Sequence, residues 1–260
     1  MSMVRAKKRL GQHFLKDKNI AADIVNALLK TGSAQKVIEV GPGTGVLSEM
    51  MIGHVQIEQL VLMDLDEESI AYLNNNFKNE NTRIVHGDFL KTDLRKYFGS
   101  SNFNIIGNFP YNISTQIFFK VLAHRNQIDI VVGMLQKEVA ERIASKEGSK
   151  VYGIISVLIQ AFYDVEYLFT VPPTVFIPPP KVDSGVIIAK RNDVEHLGCD
   201  EKLFSRVVKT AFQTRRKTLR NALKTINLPD SVKESSVLNK RAEQLSVEDF
   251  IMLTKQIEGQ

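Results

Sequence analysis

The densest chemistry in the chain lies in four consecutive residues, Asn108, Phe109, Pro110 and Tyr111, which follow the apolar run 103–107. An amide, a backbone fixed by a proline ring and a phenol combine hydrogen-bond acceptors with a flat stacking surface. The side-chain oxygen of Asn108 and the backbone carbonyl of Phe109 can accept both hydrogens of an exocyclic amino group such as adenine N6. That nitrogen is a poor nucleophile because its lone pair is delocalised into the ring, and acceptors at both hydrogens favour the geometry in which it attacks a methyl sulfonium. Tyr111 offers a ring for an unstacked base, a contact worth about 1–3 kcal/mol. No charged base occurs in the quartet and none is demanded, since the methylated nitrogen carries a positive charge and loses its proton readily to water. Taken alone, Asn and Pro in this order also describe a strand-ending turn.

A second cluster sits upstream, in Val37 to Gly45, read V-I-E-V-G-P-G-T-G. A short apolar run that stops at glycines predicts a buried strand, a tight turn and a following helix. Gly41, Gly43 and Gly45 permit positive φ and let backbone N–H groups approach a ligand. A dinucleotide fingerprint would need glycine at 46, where this chain has Val46. Acids accompany the turn: Glu39 precedes it, Asp64 closes the run Leu60–Met63, and Asp88 follows Gly87. Asp64 lies twenty-three residues after Gly41, close to the roughly 20 at which an acid meets a ribose diol in such folds. The pattern favours an adenosine-containing ligand such as S-adenosylmethionine over NAD.

These groups need a scaffold that gathers them. Short apolar runs near 36–40, 59–63, 82–86, 103–107 and 128–134 alternate with helical patterns near 45–53, 67–77, 113–123 and 137–145. Such alternation predicts an α/β fold of βαβ units, a mainly parallel sheet and ligands at the carboxyl ends of its strands. Ile20, Ile24, Val25, Leu28 and Leu29 recur at helical spacing before the sheet begins, with Gly32 as a stop. Later apolar runs at 154–162, 165–171 and 185–189 flank a proline cluster at 172–180, read as an ordered loop joining two late strands. From about 195 the signals are helical. Two domains are expected, 1–192 for catalysis and 193–260 as a small helical domain.

The 260 residues are 43% hydrophobic and 24% charged, ordinary for a globular chain, with a net charge of +5 that suggests a polyanionic partner. Its distribution is more telling. Arg5, Lys7, Lys8, Arg9, Lys16 and Lys18 form a basic arm, and Lys202 to Lys224 holds eight basic residues and no acid. Acid-free clustering of that length on helices points to nucleic-acid phosphates. A single cysteine, Cys199, excludes an intrachain disulfide. The basic N-terminus runs into Gly11 without an apolar signal core, and no apolar stretch has the length of a membrane span, so a cytoplasmic location is expected.

Read in order, Gly11–Leu15 (G-Q-H-F-L), Glu39–Gly45 (E-V-G-P-G-T-G), Gly87–Leu90 (G-D-F-L), Asn108–Tyr111 (N-F-P-Y), Phe176–Ser184 (F-I-P-P-P-K-V-D-S) and Arg215–Leu219 (R-R-K-T-L) resemble the small-subunit ribosomal RNA adenine N6,N6-dimethyltransferases. The resemblance implies a class I, Rossmann-like methyltransferase domain: a seven-stranded, mostly parallel sheet with helices on both faces and an antiparallel last strand, followed by a helical RNA-binding domain. It implies S-adenosylmethionine as methyl donor, no metal, and two adjacent adenosines near the 3′ end of small-subunit rRNA, within an immature subunit, as substrate. Carried over by position, His13 and Leu15 lie at the cofactor pocket with Glu39 and Gly43, and Gly41 lies beneath the methionine part. Asp64 holds the ribose hydroxyls and Asp88 the adenine amino group, while Asn108 lines both cofactor and target. Tyr111 and Phe176 sandwich a flipped adenine, and Arg215, Arg216, Lys217 and Arg220 contact RNA. The family usually has Glu, Leu and Asn where this chain has Asp64, Phe109 and His13.

Other readings share parts of this pattern. A large-subunit rRNA adenine methyltransferase of the macrolide-resistance type would have the same N-terminal domain, but the Arg215–Asn221 segment argues for the small-subunit branch. A noncatalytic assembly factor is disfavoured by the intact Asn108 and Tyr111, and an NAD oxidoreductase by Val46. A monomer is expected.

Overall fold

Residues 37–40, 60–63 and 103–107 are almost wholly apolar and buried, so each of these segments must be covered on both faces, which a parallel sheet between helices achieves. A computed structural model describes residues 4–259 and contains such a sheet. Its strands, numbered with the short β1 (Phe14–Leu15) first, are β2 (Lys36–Val40), β3 (Gln59–Asp64), β4 (Thr82–His86), β5 (Phe103–Asn108), β6 (Ile128–Gln136), β7 (Tyr163–Val171) and β9 (Ser184–Arg191); β8 (Phe176–Ile177) pairs with β1 in a separate two-stranded sheet. The seven-stranded order is β4-β3-β2-β5-β6-β9-β7. Strands β2 to β6 are mutually parallel, and β9 runs antiparallel to β6 from Gln136↔Ser184 to Ile130↔Lys190.

Two compact units divide the chain. One takes the residues up to Ala140 together with Val165–Arg191; the other takes Glu141–Asp164 and everything from Asn192 onward. The chain therefore enters the helical unit twice, first at residues that a division into 1–192 and 193–260 leaves with the sheet. In the first unit the helix Lys18–Leu29 starts at Asp17, whose carboxylate accepts the N–H groups of Asn19 and Ile20, and buries Ala21, Ile24, Val25 and Leu28. The expected helix near 45–53 shortens to Ser48–Met51. Gly45 has φ +79°, incompatible with a helix, and a Cβ there would lie 2.5 Å from the Phe77 ring.

The second unit is built on the helix Glu201–Gln213, capped by Asp200 and burying Phe204, Val207, Val208 and Ala211. Phe212 packs between Tyr152 and Phe250, at centroid distances of 6.1 and 5.9 Å. The apolar run 154–162 begins as the helix Ile154–Gln160, in which Ile155 to Ile159 are all buried, so it shows no amphipathic period.

The sheet also explains how a phenylalanine fits at 109. Its ring is buried and lies edge-on to Phe118, at 6.1 Å and 76°. Gly107 and Gly133 make the slot: a Cβ at Gly133 would stand 2.4 Å from the Phe109 ring, and one at Gly107 would stand 2.5 Å from the Val40 carbonyl oxygen. Gly133→Ala should therefore cost about 1–3 kcal/mol of stability by overpacking. Urea denaturation checks this, and adding Phe109→Leu should recover more than half of the loss.

Candidate active site

The parallel register brings four strand ends level. Val40 is paired with Met63, Asp64 with His86, and Asn108 with Met134. The residues at and just beyond these ends therefore converge on one cleft: Gly41 and Gly43 after β2, Asp64 at the end of β3, Asp88 after β4, and Asn108 to Tyr111 at β5. Leu10–Phe14 supply a further wall. All of these residues belong to the first unit.

Asn108 is oriented by chemistry. Its Nδ2 donates to the His13 carbonyl over 2.8 Å, and a carbonyl can only accept, so the amide nitrogen must face His13. Among the described residues no protein donor reaches Oδ1, which is left as the acceptor available to the cleft. His13 is held in turn: its Nδ1–H donates to the Pro178 carbonyl at 2.8 Å, and its ring lies 5.3 Å from that of Tyr111. The Tyr111 hydroxyl is 2.6 Å from Ser184 Oγ, a side chain with no exposure. Burial pushes the Tyr111 phenol above its ordinary pKa, against the Ser184 hydrogen bond.

Asp64 is 6% exposed and accepts from the N–H groups of Gly43 (3.0 Å) and Asp66 (2.9 Å). The Gly43 amide is thus spent on orienting an acid. A Cβ at Gly43 would lie 2.7 Å from the Phe14 ring, whereas one at Gly41 would extend into the gap beside Pro110 with its nearest atom at 3.6 Å. Burial raises the pKa of Asp64, and its backbone donors oppose that rise. Asp66 lies behind it, ion-paired to Lys7 and accepting from Gln12 Nε2 at 3.1 Å. Burial disfavours its ionised form, yet these donors, with the Glu68 N–H, hold its carboxyl below the usual range. The arm expected from its charge to face a polyanion is, at Lys7, fastened to the body by acids. Its first three residues lie outside those described.

Three candidate side chains lie off the cleft. Leu15 and Phe176 are paired across β1 and β8 and packed in the core, with Phe176 only 2% exposed. In this arrangement Phe176 presents almost no face to a base; alternation along β8 instead turns out Ile177, at 59%. Glu39 is 1% exposed and accepts from Ser48 Oγ at 2.5 Å, behind the glycine turn. In the helical unit, Arg215–Lys217 occupy a turn between the helices Glu201–Gln213 and Leu219–Ala222. Arg216 and Lys217 are exposed, Arg215 donates to the Ser149 carbonyl (3.3 Å), and Arg220 donates to the Lys233 carbonyl (2.7 Å). Lys202, Arg206 and Lys209 add an exposed stripe along one helix face. Gln12 and Ser184 stand in motif segments and Ser48 does not, but the sequence shows none of the three as a tether, since a polar side chain reveals no partner until the fold brings one to it.

A parallel sheet with this strand order and one antiparallel insertion, carrying a glycine turn and acids at its carboxyl ends, defines a class I methyltransferase. Residues 3–258 match the model of the family described as ribosomal RNA adenine dimethylase. The chain is 57% identical over 259 residues to "Ribosomal RNA small subunit methyltransferase A" of Cytophaga hutchinsonii, covering all of both chains, and 53% identical to the protein of that name from Bacteroides thetaiotaomicron, covering 99% of this chain and 96% of that one. Among solved structures, a dimethyladenosine transferase from Plasmodium falciparum superposes with a TM-score of 0.83 at 25% identity, covering 95% of this chain and 98% of that one. The 23S rRNA methyltransferase ErmE shares the fold, with a TM-score of 0.66 at 20% identity over 94% of this chain and 99% of that one. The chain belongs to the ribosomal RNA adenine dimethylase family, and it is a methyltransferase.

Burial raises the pKa of Glu39 from 4.5 to about 8; the charge of Asp64 adds to the rise and the Ser48 hydroxyl opposes it. Through that window the folded chain keeps on Glu39 a proton that the unfolded chain has released, so the contribution of Glu39 to stability falls as pH rises from about 4.5 to about 8 and levels off above. Glu39→Gln should flatten this dependence by as much as about 1.4 kcal/mol per pH unit. Urea unfolding across the window measures the difference, and identical slopes in the two proteins would contradict it.

Proposed function

We propose that the protein transfers methyl groups from S-adenosylmethionine to N6 of two adjacent adenosines near the 3′ end of small-subunit rRNA, dimethylating each. The observation that carries this reading is the orientation of Asn108, which leaves an acceptor oxygen at the strand end beside the glycine turn. The names of the 57% and 53% identical relatives support the small subunit as the source of the RNA.

The residues of the cleft fit the donor. Gly41 leaves open a gap that a side chain would fill, Asp64 offers a carboxylate suited to a ribose diol, and Asp88 offers one to the adenine amino group. When bound, S-adenosylmethionine supplies a methyl carbon attached to a positively charged sulfur, and the C–S bond breaks as the new N–C bond forms. Asn108 Oδ1 and the Phe109 carbonyl accept the two N6 hydrogens and so aim the nitrogen lone pair at that carbon. Tyr111, steadied by Ser184, provides the ring on which a flipped adenine rests. The proton released after transfer passes to water. For the second transfer one hydrogen remains, and one of the two acceptors holds it.

The helical unit would bind the RNA backbone through Arg216 and Lys217, with the Lys202, Arg206 and Lys209 stripe beside them. Arg215 and Arg220 combine that role with holding neighbouring segments. The protein would act as a monomer in the cytoplasm, on rRNA within an immature small subunit. No helix among the described residues is long and apolar enough to cross a membrane.

The test is to incubate the protein with labelled S-adenosylmethionine and undermethylated small subunits and to map the product. N6,N6-dimethyladenosine at two adjacent positions is expected; label in large-subunit RNA alone, or none, would overturn the reading. Asn108→Ala should lower methylation by about 100-fold or more while subunit binding stays intact. Replacing Arg216 and Lys217 together with Ala should weaken binding and reduce the slope of log affinity against log salt by about one for each phosphate no longer neutralised.

A further inference from the structure

The acid assigned to the adenine of the methyl donor is set in a turn that a partly buried cation holds in place. Asp88 Oδ1 accepts from the Leu90 N–H at 2.9 Å, and the Asp88 carbonyl accepts from the N–H and hydroxyl of Thr92 at 2.9 and 2.7 Å. The carboxylate is therefore fixed relative to residues 90–92. Those residues are joined to the body from one side by Phe89, which is buried, and from the other by Lys120 on the helix Ser114–Ala123. Lys120 Nζ donates to the Leu90 carbonyl at 2.9 Å and to the Thr92 carbonyl at 2.6 Å, and it lies 5.7 Å from the centre of the Phe89 ring. A single ammonium thus ties both carbonyls of the turn and faces its anchoring ring. Burial lowers the pKa of Lys120, while the charges of Asp88 and Asp93 sustain its protonated form. An apolar side chain at 120 would leave two carbonyls without their donor, and the turn would shift to find water.

We propose that Lys120 is a positioning residue for recognition of the donor's adenine: it sets where the Asp88 carboxylate stands and thereby the preference for a purine bearing a 6-amino group. This rests on the proposed function, in which Asp88 accepts from that amino group. Lys120 touches neither the reacting atoms nor the ligand.

Calorimetric titration with S-adenosylhomocysteine and with its analogue carrying hydrogen in place of the adenine amino group tests the proposal. The wild type should prefer the amino form by about tenfold, the value of one hydrogen bond to a charged acceptor. Lys120→Met should reduce that preference to about two- to threefold, with affinity for the desamino analogue changed by less than about twofold. A purely structural role would weaken both ligands in parallel. Lys120→Gln, which can reach at most one carbonyl, should fall between the two, and it decides the matter if the Met variant fails to melt cooperatively. A preference in the folded variants equal to that of the wild type would overturn the proposal. Two wild-type results would also overturn it, distinguishably: equal affinity for both ligands removes Asp88 as the adenine acceptor, and failure to bind S-adenosylhomocysteine removes the proposed function itself.

Discussion

The amide of Asn108 can offer its oxygen to the cleft because the His13 carbonyl takes its nitrogen. Turning the amide over would exchange a hydrogen bond for two oxygens facing each other at the same separation, a change of about 1–3 kcal/mol or more in a partly buried place. The constraint extends outward from that bond. His13 is held to Pro178 through its ring, β1 beside it is paired with β8, and the Pro178 segment leads through Asp183 to Ser184, which steadies Tyr111. One short circuit of the chain, joining an N-terminal segment to a late loop, therefore orients both the Asn108 amide and the Tyr111 ring. The parallel sheet supplies the platform, but the orientation of the working groups comes from this circuit.

A second feature is how the acids at and behind the strand ends are partnered. Glu39 is protonated up to about pH 8, and Asp64 is buried with its charge spread over backbone N–H groups. Asp66 is held ionised below its usual range, and its charge is met by Lys7 and Gln12. The same ion pair carries the arm across to the cleft wall, so the fixing of Leu10–Phe14 and the charge balance of Asp66 are one arrangement.

The strand ends were legible in the sequence because each is marked twice, by a buried apolar run and by the glycine, acid or asparagine that stops it. Val37–Gly45 and Leu60–Asp64 read correctly for that reason. The helix after the glycine turn read too long, since periodicity cannot register the positive φ at Gly45. The direction of Phe176 was not legible: it depends on pairing with Leu15, and a strand of two residues is too short to reveal a period in the sequence. Glu39 illustrates the same limit, because an acid before a glycine turn looks alike whether it meets a ligand or a serine behind the sheet. Lys120 gave no signal, since a lysine on an amphipathic helix ordinarily lies in water and its carbonyl partners come from another loop.

The orientation of Asn108 can be measured directly by NMR on the isotopically labelled protein, through the scalar coupling transmitted across a hydrogen bond from side-chain nitrogen to carbonyl carbon. The account predicts a coupling between Asn108 Nδ2 and the His13 carbonyl carbon, with one amide proton shifted downfield and slow to exchange. An Asn108 amide that shows no such coupling and flips freely would contradict it.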